Sequence, residues 1–438
     1  MRPESLRICV TGAEASVSDL ARRLDRAAEL HEVRLDLLER LDAAVFDLLR
    51  VHGARVVATL RPLRQGGRFA GKEDERLATL RRAVDAGAGW IDLELDVFER
   101  GDAARVLCPD APAAWDACVT EWQRTGEAAC LERLPGAGGG AVRPRVLLSC
   151  HASEGGPCVL EGLAARAARF PADGVKLAVP VAGAADLVAL ASEWPAGSTA
   201  GPQRVVIGLG PAGTITRARP AAFGSDWTYA AAAPDRVTAA GQLPLETLLA
   251  WRVREAPSLV PILLVGGAQV AGSPGPDVYN RLFAGAGVPC QYLAVPAASW
   301  DEAVAIADVL GAACLSVTMP LKRAAAAAAG EAGDDRVRAT GAANTVRIEG
   351  GRVVAAANTD AEAAHAILAE AARGGAGTVL ILGAGGAAAA FGAAAREVGL
   401  RAVVAARDPA SVDVFSGGLA GAQVVAWEGR SRVEHDVL

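Results

Sequence analysis

A chain of 438 residues, 52% hydrophobic and 21% charged, is long enough for two or three domains with cores of their own. Its formal net charge of -6, with no basic cluster interleaved with aromatics, excludes an electrostatic footprint for nucleic acid or an anionic membrane. The start, MRPESLRICV, lacks the apolar run of a signal peptide, and the eight cysteines contain no CxxC pair, so a cytoplasmic protein with reduced thiols and no metal site is expected.

In chain order, the first half shows eight short strand-like runs: RICVTG, EVRLDLL, RVVATLRP, WIDLELDV, RVLLSCHA, GVKLAV, RVVIGLG and DWTYAAA. Most are separated by stretches with apolar residues at helical spacing, such as SVSDLARRLDRAAEL and EDERLATLRRAVDAG. Eight β-α units over about 240 residues predict a (β/α)8 TIM barrel. Residues 101 to 144 break the rhythm, end in LPGAGGGAVRPR, and are expected to form an insertion or flexible excursion.

Polar residues gather in or just after these runs, where a barrel places its active site. Glu32 and Arg34 lie in the second, Arg61 closes the third, Glu94 lies in the fourth, His151 ends the fifth, Lys176 lies in the sixth, and Arg217 follows the seventh. Residues two apart on a strand share a face, so Glu32 sides with Arg34 and Asp92 with Glu94. The basic residues are unevenly chosen as well. Lysine occurs only at Lys72, Lys176 and Lys322, and the other 41 basic positions are arginine. A lysine can lose its proton and attack a carbonyl, which a guanidinium does poorly. Lys72 sits in the charged run GKEDER and reads as a surface residue, whereas Lys176 and Lys322 lie in or beside apolar runs and are candidates for chemistry.

In order and across roughly residues 5 to 250, the segments EVRLDLL, VVATLRP, QGGRF, IDLEL, LLSCHA, DGVKLAV, TITRARPAAFGSDWTYA and AAGQL resemble type I 3-dehydroquinate dehydratase. The resemblance implies that Lys176 forms an imine with the substrate's C3 ketone, that His151 is the general acid/base, and that Glu94 orients and polarises it. It further implies that Arg217 pairs with the substrate carboxylate and that Glu32, Arg34, Arg61 and Gln242 hold its hydroxyls, with no cofactor required. Such a division of labour is chemically coherent. Losing water β to a ketone needs a sink for the carbanion, which a protonated imine provides, and a group that carries the proton to the departing hydroxyl. Two departures stand out: Ala152 replaces the family's Asp after the histidine, and Thr238 replaces a Ser in TAAGQ, where Ala240 replaces a Pro.

The second half begins a new α/β unit at VPILLVGG, followed by GSPGPDVYN, LSVTMPLK, TGAANTV and AANTDAE. These motifs resemble the substrate domain of shikimate dehydrogenase. They imply a catalytic pair of Lys322 with Asp360, and substrate contacts from Ser273, Ser316, Thr318 and Asn344. Gly275 and Ser316 stand where that family carries a hydroxyl and an Asn, which is expected to relax the choice between shikimate and quinate.

The uncharged stretch 374–395 is long enough for a membrane span, but its glycines make it strand, turn and helix. In VLILGAGGAAAAF, Gly383, Gly385, Gly386 and Ala388 match a dinucleotide-binding turn. Arg407, after the next strand, suggests the 2′-phosphate of NADP.

The expected organisation is therefore a dehydratase barrel over 1–250, a shikimate-dehydrogenase-like substrate domain over 258–365 and a partial Rossmann nucleotide domain over 374–438. The order resembles the bifunctional dehydroquinate dehydratase/shikimate dehydrogenases of the shikimate pathway, with small-molecule partners only. RVEHDVL resembles the beginning of that family's next strand, so the remainder of the nucleotide domain is expected to be missing, together with efficient reduction. Two other readings stay open at this level. One is a dehydratase followed by a degraded dehydrogenase half. The other is a regulatory protein that only binds quinate or shikimate, against which the filled lysine, histidine and aspartate positions speak.

Overall fold

The computed structural model describes residues 6–25, 28–134, 143–152, 157–193, 201–414 and 417–438. Its first half holds strands β1 (Arg7–Thr11), β2 (Leu30–Arg34), β3 (Val56–Thr59), β4 (Trp90–Glu94), β5 (Arg145–His151), β6 (Gly174–Pro180), β7 (Gln203–Leu209) and β8 (Trp227–Ala231). They form one sheet in the order β7-β6-β5-β4-β3-β2-β1-β8, and every ladder between neighbours is parallel. The ends of this order meet at β7 and β8. There, Asp226 accepts from the Arg204 N–H at 2.7 Å, Ser225 accepts from the Val206 N–H at 2.8 Å, and the Asp226 N–H donates to the Arg204 carbonyl at 2.8 Å. The expected (β/α)8 barrel is thus present and nearly closed.

Strands covered on both faces are apolar throughout except where function intervenes. On β4, Ile91 and Leu93 turn outward into the core shared with the helices, while Trp90, Asp92 and Glu94 turn inward. The inner layer is apolar at its floor. Trp90 and Trp227 meet edge-on at 5.3 Å, with the Arg7 and Arg145 guanidinium groups 5.1 and 5.4 Å from Trp227 and Trp90. One step up, β2, β4 and β6 carry the charged Glu32, Asp92 and Lys176, while β1, β3 and β5 carry Thr11, Thr59 and Ser149. Ions at that level rest on a dry floor, where electrostatic interactions are stronger than in water.

Over 101–134 the chain forms an insertion, one of the two forms expected of it, and not a flexible excursion. Helices Ala103–Leu107, Pro112–Thr125 and Ala129–Glu132 pack on the outer barrel core. Trp115, Cys118 and Trp122 are spaced by three and four residues, which aligns them in one buried stripe, and the Trp122 indole N–H bonds the Ala168 carbonyl at 2.9 Å. The glycine tract at 135–142 lies outside the described residues.

The second half contains a sheet of β9 (Val260–Gly266), β10 (Cys290–Pro296), β11 (Cys314–Val317), β12 (Thr345–Glu349) and β13 (Arg352–Ala357), ordered β10-β9-β11-β12-β13. Strand β11 runs parallel to β9, and β12 and β13 are antiparallel. A parallel sheet follows, β14 (Thr378–Leu382), β15 (Arg401–Ala406) and β16 (Gln423–Ala426), in that order. Stretch 374–395 resolves as expected into β14, a glycine turn and the start of helix Gly386–Val398. Among the described residues no helix is long and apolar enough to cross a membrane.

By contact density the chain divides into 1–259 with 276–291, and 260–275 with 292–438. The first unit recruits 276–291 through polar bonds to the segment that follows β8. Buried Gln291 donates to the Trp251 carbonyl at 2.7 Å, and the Trp251 indole N–H bonds Asp277 at 2.8 Å. Within the second unit, helices Thr359–Arg373 and Gly386–Val398 share a core that includes Ala364, Leu368, Ala388, Ala394 and Ala395. Their small side chains let the helices approach closely, and 374–438 fall in one compact unit with 260–275 and 292–365, whereas 276–291 of the expected substrate domain group with the first unit.

Candidate functional site

At the C-terminal ends of the barrel strands lies a cavity of about 240 Å³ whose lining includes Glu32, Arg34, Arg61, His151, Lys176, Arg217, Thr238 and Gln242. Glu32, Arg34, Arg61, His151, Lys176 and Arg217 were expected at a common rim, and Gln242 and Thr238 from the resemblance. Strand alternation turns Glu32 and Lys176 inward, while Arg61, Arg217, Thr238 and Gln242 come from the segments that follow the strands. Glu94, the ninth expected residue of this half, is fully buried just outside the lining.

Lys176 is 5% exposed, and its Nζ donates to Asp92 Oδ2 at 2.6 Å and to Glu32 Oε1 at 3.3 Å. Asp92 was missing from the expected site, although its place two residues before Glu94 already set it on the inner face. Burial raises the Asp92 carboxyl, but Arg61 and Lys176 more than offset this and hold it well below the usual carboxylate range. Arg61 is the hub of the network. It donates to Asp92 Oδ2 at 2.8 Å, Glu94 Oε1 at 2.9 Å and Ser149 Oγ at 2.9 Å, and its Nη1 lies 3.4 Å from His151 Nδ1. Ser149 passes a hydrogen bond of 2.6 Å on to Asp92 Oδ1.

Glu94 accepts from Arg61 and, at 2.7 Å, from Arg76. It meets His151 through Arg61, which bonds both. Burial pushes the Glu94 carboxyl up in spite of these two guanidinium groups. For His151, burial is the largest cause and the Arg61 and Lys176 charges add to it, so the imidazole is held well below its usual value and stays neutral at physiological pH.

Arg217, on the short helix Ile215–Ala218, is 1% exposed. It donates to the carbonyls of Gly208 at 2.6 Å and Ala240 at 3.4 Å, its Nε has no partner, and among the described residues no carboxylate pairs with it. Burial alone lowers it to about 10. Gln242 accepts from the Thr238 N–H at 2.8 Å and hydroxyl at 3.1 Å through Oε1, which turns its amide N–H groups outward as donors. Gly241 makes that turn possible: its φ is +73°, and a Cβ there would lie 2.1 Å from the Gly210 carbonyl oxygen. Arg34 is fixed by a two-pronged bond to buried Asp36, at 2.9 and 2.7 Å.

Three further lining groups, Thr11 Oγ1, Gln65 Oε1 and the Tyr229 hydroxyl, are buried without a hydrogen-bond partner. The Trp227 indole nitrogen lies near the Tyr229 hydroxyl without bonding geometry. Sequence reasoning missed all three, because a threonine, a glutamine and a tyrosine in these runs read as ordinary strand or loop residues. Buried polar groups left unpaired are costly unless a ligand satisfies them. An amine held by carboxylates, a neutral imidazole, an unpaired guanidinium and orphan hydroxyl groups suit a polar, anionic carbonyl compound.

In the second unit, Lys322 Nζ bonds Asp360 Oδ2 at 2.5 Å, and Asn344 donates to Asp360 Oδ1 at 2.9 Å and Thr359 Oγ1 at 2.8 Å. Asn358 caps helix Thr359–Arg373 by accepting from the Ala361 N–H, which sets Asp360 in its first turn. The structure therefore joins Lys322, Asp360 and Asn344. Ser316 lies on β11 opposite Thr345, beside Asn344, with Thr318 two residues on. Ser273 accepts from the Gly275 N–H at 3.1 Å. A Cβ on Gly275 would meet the Tyr292 ring at 3.0 Å, so the hydroxyl expected there has little room.

Gly383 has a φ of +97° and Gly385 starts helix Gly386–Val398; a Cβ on either meets nothing within 4 Å. The turn fits a pyrophosphate, since open backbone leads into a helix N-terminus of a parallel sheet. Gly386 abuts Lys322, whose Cδ would lie 3.1 Å from a Cβ there. Ala388 is buried in the helix packing, and Arg407 is exposed one residue beyond β15.

Residues 8–106 and 140–251 match the family model for Type I 3-dehydroquinase, and residues 265–346 match that for the Shikimate dehydrogenase substrate binding domain. The chain is similar to the chloroplastic bifunctional 3-dehydroquinate dehydratase/shikimate dehydrogenase of Arabidopsis thaliana, with 26% identity over 415 residues, 89% of this chain and 62% of that protein. It is 29% identical over 250 residues to 3-dehydroquinate dehydratase of Desulfotalea psychrophila, covering 56% of this chain and 96% of that protein. To Shikimate dehydrogenase (NADP(+)) of Anaeromyxobacter dehalogenans it is 40% identical over 150 residues, 33% of this chain and 51% of that protein. The chain thus spans less than two thirds of the length of the Arabidopsis relative.

Proposed function

Since the barrel segments belong to the type I 3-dehydroquinase family and a shikimate dehydrogenase substrate-binding domain follows them, we propose that the chain dehydrates 3-dehydroquinate to 3-dehydroshikimate in the shikimate pathway. The observation that carries the reading is the pairing, across one small cavity, of a buried lysine and a buried guanidinium with no carboxylate of its own. Arg217 takes the substrate carboxylate, and Arg34, Glu32, Gln242 and Thr238 take its hydroxyls. Lys176 adds to the C3 carbonyl and expels its oxygen as water, leaving a protonated imine. Neutral His151 removes the α proton, the electron pair shifts into the imine, and the same proton leaves with the β hydroxyl as water; a solvent water then adds to the imine carbon and frees the product ketone and the Lys176 amine. Glu94 acts through Arg61, which it anchors beside His151.

The second unit, in this reading, binds 3-dehydroshikimate and NADP. The bound nucleotide supplies the hydride. Lys322 and Asp360 hold and move the proton at the carbonyl oxygen, Asn344 fixes Asp360, the turn at Gly383, Gly385 and Gly386 receives the pyrophosphate, and Arg407 the 2′-phosphate. Ser316, shorter than the Asn implied there by the resemblance, leaves space for the extra hydroxyl of quinate, whereas Gly275 is hemmed in by the Tyr292 ring; assays on quinate beside shikimate check this.

Borohydride added with 3-dehydroquinate should leave the ligand's mass on the peptide containing Lys176. An adduct on Lys72 or Lys322 instead, or near-normal dehydration by Lys176→Arg, overturns the assignment.

A further inference from the structure

We propose that the ring of Tyr229 is a further catalytic group of the barrel site, a cation platform that holds the positive nitrogen of Lys176 once the imine has formed. The inference rests on the imine chemistry proposed above. Tyr229 sits on β8, two residues after Trp227 and on the same inner face, and the Lys176 Nζ lies 5.0 Å from its ring centroid. The residue is 5% exposed and lines the cavity.

The argument turns on counting hydrogens. In its ammonium form Lys176 carries three N–H bonds, and it donates to Asp92 and Glu32. When Nζ bonds to the carbonyl carbon, the carbonyl oxygen leaves as water with two of the protons that were on nitrogen. One N–H and the positive charge remain. Two carboxylates can no longer both be served by that nitrogen, so at least one of the hydrogen bonds around it is lost at the step where the charge has to be kept. An aromatic face attracts a cation through its quadrupole and needs no N–H to do so. Of the contacts Lys176 makes, the one with Tyr229 therefore survives the change from ammonium to iminium. It also operates where such contacts are strongest, above the dry floor formed by Trp90 and Trp227. Burial keeps the phenol far above its usual value, so the ring stays neutral. Because the hydroxyl makes no hydrogen bond among the described residues, Tyr229→Phe removes no structural tie.

The test uses the full chain with Tyr229→Phe, followed by mono-, di- and trifluorinated phenylalanine at the same position. Fluorine drains the ring face of electron density with little change in size. Dehydration kcat should fall by about two- to threefold per fluorine while KM stays nearly constant, and the borohydride-trapped adduct on Lys176 should fall in step. A purely structural ring gives a flat series with unchanged circular dichroism, and that result overturns the inference. The unsubstituted protein separates the two levels of the argument. If it yields no adduct on Lys176, the imine reading fails and takes this inference with it; if it yields the adduct and the series is flat, only the role of Tyr229 is lost.

Discussion

Arg217 supports a prediction with two opposite arms. Its guanidinium is 1% exposed, and burial lowers it from the ordinary arginine value to about 10. At 1.36 kcal/mol per tenfold, the folded protein disfavours this charge by about 3 kcal/mol. The sign follows from linkage: the unfolded chain holds the proton more tightly, so the penalty is present at every pH below about 10 and disappears only as pH rises beyond that value toward the ordinary arginine range. Arg217→Met removes the charge and strands the Gly208 and Ala240 carbonyls, which returns about 1–3 kcal/mol of cost. The balance is a ligand-free protein that is unchanged or more stable by up to about 2 kcal/mol, a rise in melting temperature of up to about 6 °C for a domain of this size. Substrate binding responds in the other direction. Truncating one partner of a buried charge pair costs about 2–5 kcal/mol, so KM for 3-dehydroquinate should rise by about 30-fold or more. Thermal unfolding without ligand and initial-rate kinetics on the same preparations check both arms. A variant that melts well below the parent protein, or one that keeps its KM, would refute the view of Arg217 as a charge held unpaired for a carboxylate.

Arg76 is fully buried and ties Glu94 Oε2 at 2.7 Å to the Leu60 carbonyl at 3.1 Å, so Arg76→Met should lower unfolding free energy by about 3 kcal/mol in denaturant titrations. Adding Glu94→Gln to that variant should recover part of the loss, whereas additive losses would show that the pair is not the cause. His151, held well below 6.5 mainly by burial and then by Arg61 and Lys176, stays an unprotonated base as pH falls through 6.5, so the acid limb of kcat should lie below that value. The unfolded chain takes up this proton first, so the His151 contribution to stability is lost as pH drops below 6.5; NMR titration of His151 checks both, and a limb at or above 6.5 contradicts the account. NADPH oxidation with 3-dehydroshikimate should be slow beside dehydration on the same preparation, and comparable rates would contradict the expectation for the nucleotide half; Lys322→Met should leave dehydration untouched, and a parallel loss would count against two separate sites.

Much of the barrel site was legible because strand alternation is a local property. Glu32 and Arg34, or Asp92 and Glu94, share a face whatever the rest of the chain does, and a lysine kept in an apolar run of an arginine-rich chain advertises its chemistry. The second unit was legible for a related reason: VTMPLK, GAANT and NTD each hold their residues within one turn or strand end, and the structure joins Lys322, Asn344 and Asp360 directly. Partners were another matter. That Lys176 bonds Asp92, that Glu94 reaches His151 through Arg61, and that Arg76 rises from the charged helix Glu73–Asp85 to brace Glu94 depend on the register between strands and on the closing of the barrel. The same holds for Tyr229, an ordinary strand tyrosine until closure sets it under Lys176, and for the 103–134 helices, whose tryptophan stripe has meaning only against the barrel core that covers it. The sequence by itself determined which residue types lie on which face of which strand, since a two-residue period needs only the local backbone. Only the tertiary structure decided which charges neutralise one another and which, like Arg217, are left for a ligand, because electrostatic pairing in a dry interior acts between residues far apart in the chain.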